Sequence, residues 1–350
     1  MRILGIETSC DETSAAVVEE TGDRARPWAI RSNVIASQVL IHREWGGVVP
    51  ELASRQHIRD ICGVVERALD DGGVTWSDLG AVAVTQGPGL VGSLLVGVSF
   101  AKAAAVAARL PLVAVHHLAG HIESLALHNG ELPLPAVVLV VSGGHTSLFL
   151  VDRPGHYELL SRTRDDAAGE AYDKVAKLLG LGYPGGPVVD RLAKMGNDRA
   201  VPLPTTRLTH PDRNAPELKG DLDFSFSGLK TAVLRYVRER ERHGPLTEAE
   251  VADVCASFQR VVVNTLVERT FDAARRWRAA SIGVAGGVSA NSRLRAELQR
   301  HGELREIPTF VPSLPLSTDN AAMIAAAGLR KFRAGVTAPL DINADAGLAL

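Results

Sequence analysis

Among 350 residues, the stretch His117-Leu118-Ala119-Gly120-His121 carries the clearest chemical signal. Residues four apart share one face of a helix, so both imidazoles can reach one metal ion. Two ligands need a third. Asp319, in Ser317-Thr318-Asp319-Asn320 at the start of a small-residue helical stretch, supplies it, giving a 2-His-1-carboxylate set with open positions. A zincin protease reads HExxH, with its general base second; here that position is Leu118. The protease reading therefore lacks its base. The alternative without metal is a pair of capping histidines. His116 and His145 are assigned other parts.

Anion-binding chemistry is suggested by small-residue turns. Residues 2–19 read as a strand, a turn rich in Thr, Ser and acids, and a second strand; residues 136–152 repeat that plan around Ser142-Gly143-Gly144-His145-Thr146. A third strand, 281–285, ends in Gly286-Gly287-Val288-Ser289-Ala290-Asn291 and runs into a helical pattern. Two such turns facing across a cleft would grip a chain of phosphates with backbone amides and hydroxyls. A nucleotide between two lobes is the expectation. Thr8 and Ser9 add hydroxyls on the phosphate side, and Gly286-Gly287 before a helix N-terminus suits the adenosine end. Glu7, Asp11 and Glu12 would repel a bare phosphate, and make sense if they hold a cation or a substrate amine. The literal GxGxxG at 87–92 lacks the acid that would hold a ribose, since no Asp or Glu occurs from Gly80 through Ile122. It reads instead as a glycine turn that lets a helix pack closely on its strand. No GxxxxGK[ST] is present.

The elements that must position these residues alternate. Helical period and end signals predict a helix over 50–69, closing at Gly72-Gly73. Strands are expected over 81–85 and 112–115, and helices over 90–109 and 117–128. This order argues an α/β fold with substantial parallel pairing. After Gly180 the chain is Gly/Pro-rich, and 197–224 reads as a long irregular connection. Helices over 227–242 and 247–278 are dense in arginine. Their basic residues suit phosphate contact, or a solvated face of ion pairs.

Composition bounds the class. Apolar residues make 46% and charged residues 22% of the chain, the balance of an ordinary globular protein with a large core. The longest unbroken apolar stretch, 134–141, is 8 residues with a proline, against the ~20 of a membrane helix; no membrane span is expected. The N-terminus meets Glu7 before an apolar signal region can form, so the cytoplasm is expected. Cys10, Cys62 and Cys255 are too scattered for a disulfide framework or a CxxC metal site. The net charge of −2 hides an asymmetry: residues 1–175 hold 14 Lys and Arg against 21 Asp and Glu, and 176–350 hold 24 against 19. A polyanionic partner for the second half is one reading.

The runs Gly5-Ile6-Glu7-Thr8-Ser9-Cys10-Asp11-Glu12-Thr13, Gly46-Gly47-Val48-Val49-Pro50-Glu51-Leu52-Ala53-Ser54-Arg55, Val141-Ser142-Gly143-Gly144-His145-Thr146, Phe224-Ser225-Phe226-Ser227-Gly228-Leu229-Lys230-Thr231 and Thr318-Asp319-Asn320, with the histidine pair and the run from Asp165 to Lys174, resemble the bacterial TsaD family over nearly the whole chain. The resemblance implies a two-lobed fold like that of actin, Hsp70 and sugar kinases, each lobe on a ribonuclease-H-like core, with a nucleotide cleft between them. It implies a lobe over 1–115, onto which a helix at 320–340 packs back. A second lobe over 116–350 would carry the metal and adenylate site and an inserted Arg-rich helical region at about 190–280. The implied reaction moves a threonylcarbamoyl group from threonylcarbamoyl-adenylate to N6 of the adenosine just 3′ of the anticodon, in tRNAs reading codons that begin with A, releasing AMP. The implied metal ligands are His117, His121 and Asp319, with iron(II) or zinc. Val140, Val141, Ser142, Gly143, Gly144, Asp173, Gly186, Asp190 and Asn291 are implied to line the adenylate site. Glu12 as an orienting or proton-accepting group and Lys230 as an anion contact are added from their chemistry. The implied helpers are the paralogue TsaB, the ATPase TsaE and the synthase TsaC. A metal-dependent endopeptidase and an ATP-binding module like a sugar kinase are the rival classes. Gln86 and Leu314-Pro315-Leu316 depart from the family's pattern beside the site.

Overall fold

A computed structural model describes residues 1–206, 208 and 220–350. In chain order its strands and helices are β1 (Arg2–Glu7), β2 (Glu12–Glu20), β3 (Trp28–Ser37), α1 (Val39–Arg43), α2 (Pro50–Gly72), β4 (Ala81–Gly87), α3 (Val91–Ala108), β5 (Leu112–His116), α4 (His117–Asn129), β6 (Ala136–Val141), β7 (Thr146–Arg153), β8 (His156–Arg162), α5 (Ala168–Leu178), α6 (Gly185–Ala193), α7 (Ser227–Glu241), α8 (Glu248–Arg276), β9 (Ser281–Ala285), α9 (Ser292–Arg305), β10 (Thr309–Phe310), α10 (Leu314–Ser317) and α11 (Ala321–Arg333). They form two compact units. The first comprises Met1–Leu132, Asp152–Tyr157 and Pro312–Leu350, and the second Pro133–Val151 and Glu158–Val311.

Each unit is built on a five-stranded sheet, and the two sheets follow one plan. The orders are β3-β2-β1-β4-β5 and β8-β7-β6-β9-β10. The β1/β2 hairpin runs in register from Arg2↔Glu19 to Glu7↔Ser14, and β6/β7 from Ala136↔Val151 to Val141↔Thr146, both antiparallel. Parallel pairing follows on the other side, β1 with β4 and β6 with β9. This doubled mixed α/β architecture is the actin and Hsp70 type expected above. Strands covered on both faces read as unbroken apolar runs. Along β1 the two-residue alternation sends Ile3 into the cluster with α11, and Leu4 and Ile6 into the cluster with α2 and α3.

Glycine brings α11 onto β1. A β-carbon at Gly5 would lie 2.4 Å from the Ala321 carbonyl oxygen and 2.7 Å from the Ala325 nitrogen, so no other residue allows this approach. Gly120 does the same between α4 and α11, where a β-carbon would meet Ile324 at 2.7 Å and Met323 at 3.1 Å. Because α4 packs on α11, the first unit extends through Leu132 rather than ending at 115, and the metal candidates belong to it.

The glycine turn at 87–92 does serve close packing: a β-carbon at Gly89 would lie 2.6 Å from the Ser9 carbonyl oxygen. The helix that follows it, α3, is by length and composition apolar enough to cross a membrane, with a third of it buried. The unbroken-run criterion missed it because Gly92, Ser93, Gly97, Ser99 and Lys102 interrupt the run. It packs against β4 and α2. Seven elements were unanticipated: β3, α1, β8, α5, α6, β10 and α10, with α6 inside the Gly/Pro-rich stretch. Of the expected irregular connection at 197–224, residues 207 and 209–219 lie outside the described residues, and the rest carries no helix or strand.

Candidate functional site

The first group of candidates lies where α4 and the start of α11 meet. His116 caps α4: its Nδ1 accepts from the Leu118 amide at 3.1 Å, and its Nε2 lies 3.0 Å from the Leu348 carbonyl oxygen. Burial holds its pKa down at about 4, as a neutral cap requires. At the other element, Asn320 caps α11 by accepting from the Met323 amide at 3.1 Å. The two caps fix the ends on which the candidate ligands sit.

His117, His121 and Asp319 come together, their nearest ligand atoms within 4.8 Å of one another. Asp319 Oδ1 is 3.2 Å from His121 Nε2 and 3.6 Å from His117 Nε2, and the two rings meet edge to face at 4.7 Å between centroids. His121 is fully buried, and among the described residues neither of its ring nitrogens has a hydrogen-bond partner. A buried imidazole facing a carboxylate and a second imidazole, with its polar atoms unspent, fits a metal ion. Borderline nitrogen donors with one oxygen suit iron(II) or zinc rather than calcium or magnesium.

Behind His117 stands a residue whose role the spacing did not reveal. Glu7, fully buried, accepts from the Ser9 amide at 2.5 Å through Oε1. Through Oε2 it accepts from the Thr85 hydroxyl at 2.6 Å and from His117 Nδ1 at 3.1 Å. Burial pushes the Glu7 carboxyl up, but His117 outweighs it and holds the carboxyl below its ordinary value. Burial likewise pulls His117 down, while Asp319 and Glu7 overcome that and raise it to about 9. The signal in the sequence was a carboxylate closing a strand that is apolar from Ile3 to Ile6.

The remaining candidates of this unit divide. Thr8 is buried and its hydroxyl donates to the Ser93 carbonyl at 2.9 Å, with Gly97 packed against it. Its hydroxyl proton is directed at that carbonyl. Ser9 keeps its hydroxyl beside the metal candidates, 3.2 Å from His117 Nδ1. Glu12 opens β2, accepting from the Ser37 hydroxyl at 3.3 Å. Burial first, then Asp11 and Asp319, push its carboxyl well above the ordinary range.

The second unit gathers the implied adenylate residues. Val140 and Val141 are buried at the end of β6, and the turn after them is held by reciprocal bonds between Ser142 and His145. Gly169 at the head of α5 donates to the Ser142 carbonyl at 3.1 Å, and a β-carbon there would lie 2.5 Å from that oxygen. Gly286, at φ +91°, passes as closely to Val141. Gly143, Gly144 and Gly186 instead face open space, where a ligand can lie against bare backbone. Asp173 accepts from the Gly185 amide at 2.7 Å, fixing the start of α6. Asn291 caps α9 by accepting from the Leu294 amide at 3.0 Å and donates to Gln259 at 2.8 Å. Gln259 in turn donates to Asp190 at 3.1 Å, which also accepts from the Ser292 hydroxyl at 2.8 Å. Gln259, deep in α8, was not anticipated. Lys230 stands half-buried in the first turn of α7. Several arginines of α7 and α8 pair with carboxylates: Arg240 with Glu250, Arg242 with Glu239, Arg275 with Asp272 and Arg276 with Asp221.

Comparison with known proteins agrees. The TsaD family, described as tRNA N6-adenosine threonylcarbamoyltransferase, matches residues 29–326. A protein of that name from Anaeromyxobacter sp. strain Fw109-5 is 53% identical, covering 99% of this chain and 98% of its own. Another, from Moorella thermoacetica, is 51% identical, covering 99% and 97%. Among solved structures, the activator of 2-hydroxyisocaproyl-CoA dehydratase from Clostridium difficile, with bound ADPNP, is similar at a TM-score of 0.52 and 12% identity, over 96% of this chain and 97% of that one; this is a likeness of fold. The chain belongs to the TsaD family of tRNA N6-adenosine threonylcarbamoyltransferases.

Proposed function

We propose that this chain transfers a threonylcarbamoyl group from threonylcarbamoyl-adenylate to N6 of the adenosine just 3′ of the anticodon, releasing AMP. The observation that carries this reading is the constellation of the buried His117 and His121 with the partly exposed Asp319 in a chain of this family. These three residues would hold one divalent ion, iron(II) or zinc. When bound, it supplies Lewis-acid polarisation of a carbamoyl or phosphate oxygen. The turn at 142–144 would cradle the phosphate with backbone amides. Asp173 and Asp190 would accept from ribose hydroxyls, and Asn291 with Gly186 would border the adenosine. Glu12, with its raised affinity for a proton, would take the proton that the N6 amine loses. Lys230 would contact an anionic group of the RNA or the adenylate. The partners in this reading are tRNA and the family helpers TsaB, TsaE and TsaC, in the cytoplasm.

Mass spectrometry of tRNA nucleosides tests it. Incubating tRNA with threonylcarbamoyl-adenylate, this protein and the helpers should yield threonylcarbamoyladenosine. His117→Ala combined with Asp319→Ala should lower the yield at least a hundredfold, on the scale of losing a transition-state electrostatic contact. Equal product from that variant removes the metal assignment, and no product from the native chain removes the reaction.

A further inference from the structure

We propose that Glu7 is a positioning residue for the metal-binding nitrogen of His117, an inference that rests on the metal reading above. Glu7 accepts three hydrogen bonds and can donate none while ionised. Ser9 and Thr85 supply two of them, at 2.5 and 2.6 Å, and hold the carboxylate in one orientation. Its Oε2 then faces His117 Nδ1 at 3.1 Å. Only a protonated Nδ1 makes that contact favourable. The proton of the neutral ring therefore sits on Nδ1, and the lone pair sits on Nε2, which faces Asp319 at 3.6 Å.

The placement follows from strand pairing. β1 and β4 run parallel with Ile6 opposite Val84, so the next residues, Glu7 and Thr85, lie side by side at the strand ends. A carboxylate with no exposed surface is costly unless its partners are fixed, and each of these partners touches the site: Ser9 opens the turn, and His117 begins α4. His121, one turn further on, has no such support among the described residues, where its buried Nδ1 has no hydrogen-bond partner. The protein thus orients one of the two imidazoles in advance and leaves the other to be oriented by what it binds. Outer partners of this kind set ligand tautomer and basicity.

Glu7→Gln is the informative change because it keeps size and removes one acceptor. If the amide oxygen faces Ser9, the amide NH2 faces His117 and forces its proton onto Nε2, the atom needed for the ion. If the oxygen faces His117, the NH2 meets the Ser9 amide. The full chain would be titrated with Co2+, following its d–d absorption, and the Zn2+-loaded chain would be examined by histidine 15N NMR. Expected results are Nδ1 protonation of metal-bound His117 in the native chain and about 10- to 100-fold weaker Co2+ binding by Glu7→Gln, the usual loss for an outer partner. Native-like Co2+ affinity in Glu7→Gln, or an Nε2-protonated His117 in the native chain, overturns the proposal. Should Glu7→Gln fail to fold, the native 15N spectrum decides alone. Equal Co2+ binding by the native chain and His117→Ala is a different failure, that of the metal reading itself.

Discussion

The two ligand histidines are chemically alike and sit one helical turn apart, yet their surroundings assign them different duties. His117 neutralises a buried carboxylate in the metal-free chain, whereas His121 satisfies nothing but its approach to Asp319. His117→Ala leaves Glu7 buried without its cation, a loss of about 3 kcal/mol by the measure of broken buried ion pairs. His121→Ala removes two unspent polar atoms along with the ring's packing, so its cost is smaller. Urea unfolding in the presence of a chelator checks this order. Equal destabilisation would mean that Glu7 draws no stability from His117. The four-residue spacing made the histidine pair legible in the sequence, and a place at the start of a small-residue helical stretch pointed to Asp319. Glu7 was not legible in that role, because two of its three partners, Thr85 and His117, are 78 and 110 residues away in the chain. Thr8 was illegible for a similar reason: its hydroxyl bond to the Ser93 carbonyl spans 85 residues of sequence.

Between elements, side chains from elsewhere often end a helix better than its own residues do. Phe226, at the N-cap of α7, offers no side-chain acceptor. Asp165 supplies one from a distant loop. It accepts from the Phe226 amide at 2.8 Å and the Ser227 amide at 3.2 Å, and from the hydroxyls of Ser225 at 2.5 Å and Ser227 at 2.8 Å. Burial raises this carboxyl, but the four hydrogen bonds outweigh it and hold it below the ordinary aspartate value. A carboxyl lowered in the folded state contributes stability that is present above its unfolded value and lost as pH falls through the folded one. Asp165→Asn should therefore destabilise the chain at pH 7 by about 1 kcal/mol, the usual loss for a helix cap. The difference from the native chain should be full above the ordinary aspartate value of about 4 and vanish as pH falls through the lowered value that this carboxyl has in the folded chain. Thermal unfolding against pH measures it, and a pH-independent difference would assign the loss to shape rather than charge. This tie was unreadable from the sequence, as was β3. β3 stands at the edge of its sheet with few buried side chains, and Arg31 and Asn33 interrupt its apolar pattern. α6 hid behind its two glycines, of which Gly185 is required by close packing, since a β-carbon there would lie 2.6 Å from Ala176.

Across the molecule, the chain has used one strand plan twice and given each copy a different chemistry. The first hairpin turn became acidic and sits beside imidazoles, and the second became glycine-rich and bare. The duplication was legible because both hairpins are local, but the unit boundary was not, since α4 is claimed by a helix some 200 residues later in the sequence. The candidate metal residues all belong to the first unit, and the candidate adenylate residues all belong to the second. Hydrogen exchange can therefore separate the two ligands. A ligand that binds only the folded state stabilises it by RT ln(1 + [L]/Kd), about 2.7 kcal/mol at a hundredfold excess over Kd. Zn2+ at that excess should slow exchange in α4 and at the start of α11 by up to about a hundredfold. AMP should slow it at 142–144, at the heads of α5 and α6, and at the start of α9. In the Asn291→Ala chain the AMP effect should shrink while the Zn2+ effect persists. Zn2+ protection spread evenly over β6, β9 and α8 would instead make the two units one cooperative block, and the division of chemistry between them would no longer follow from which residues each unit holds.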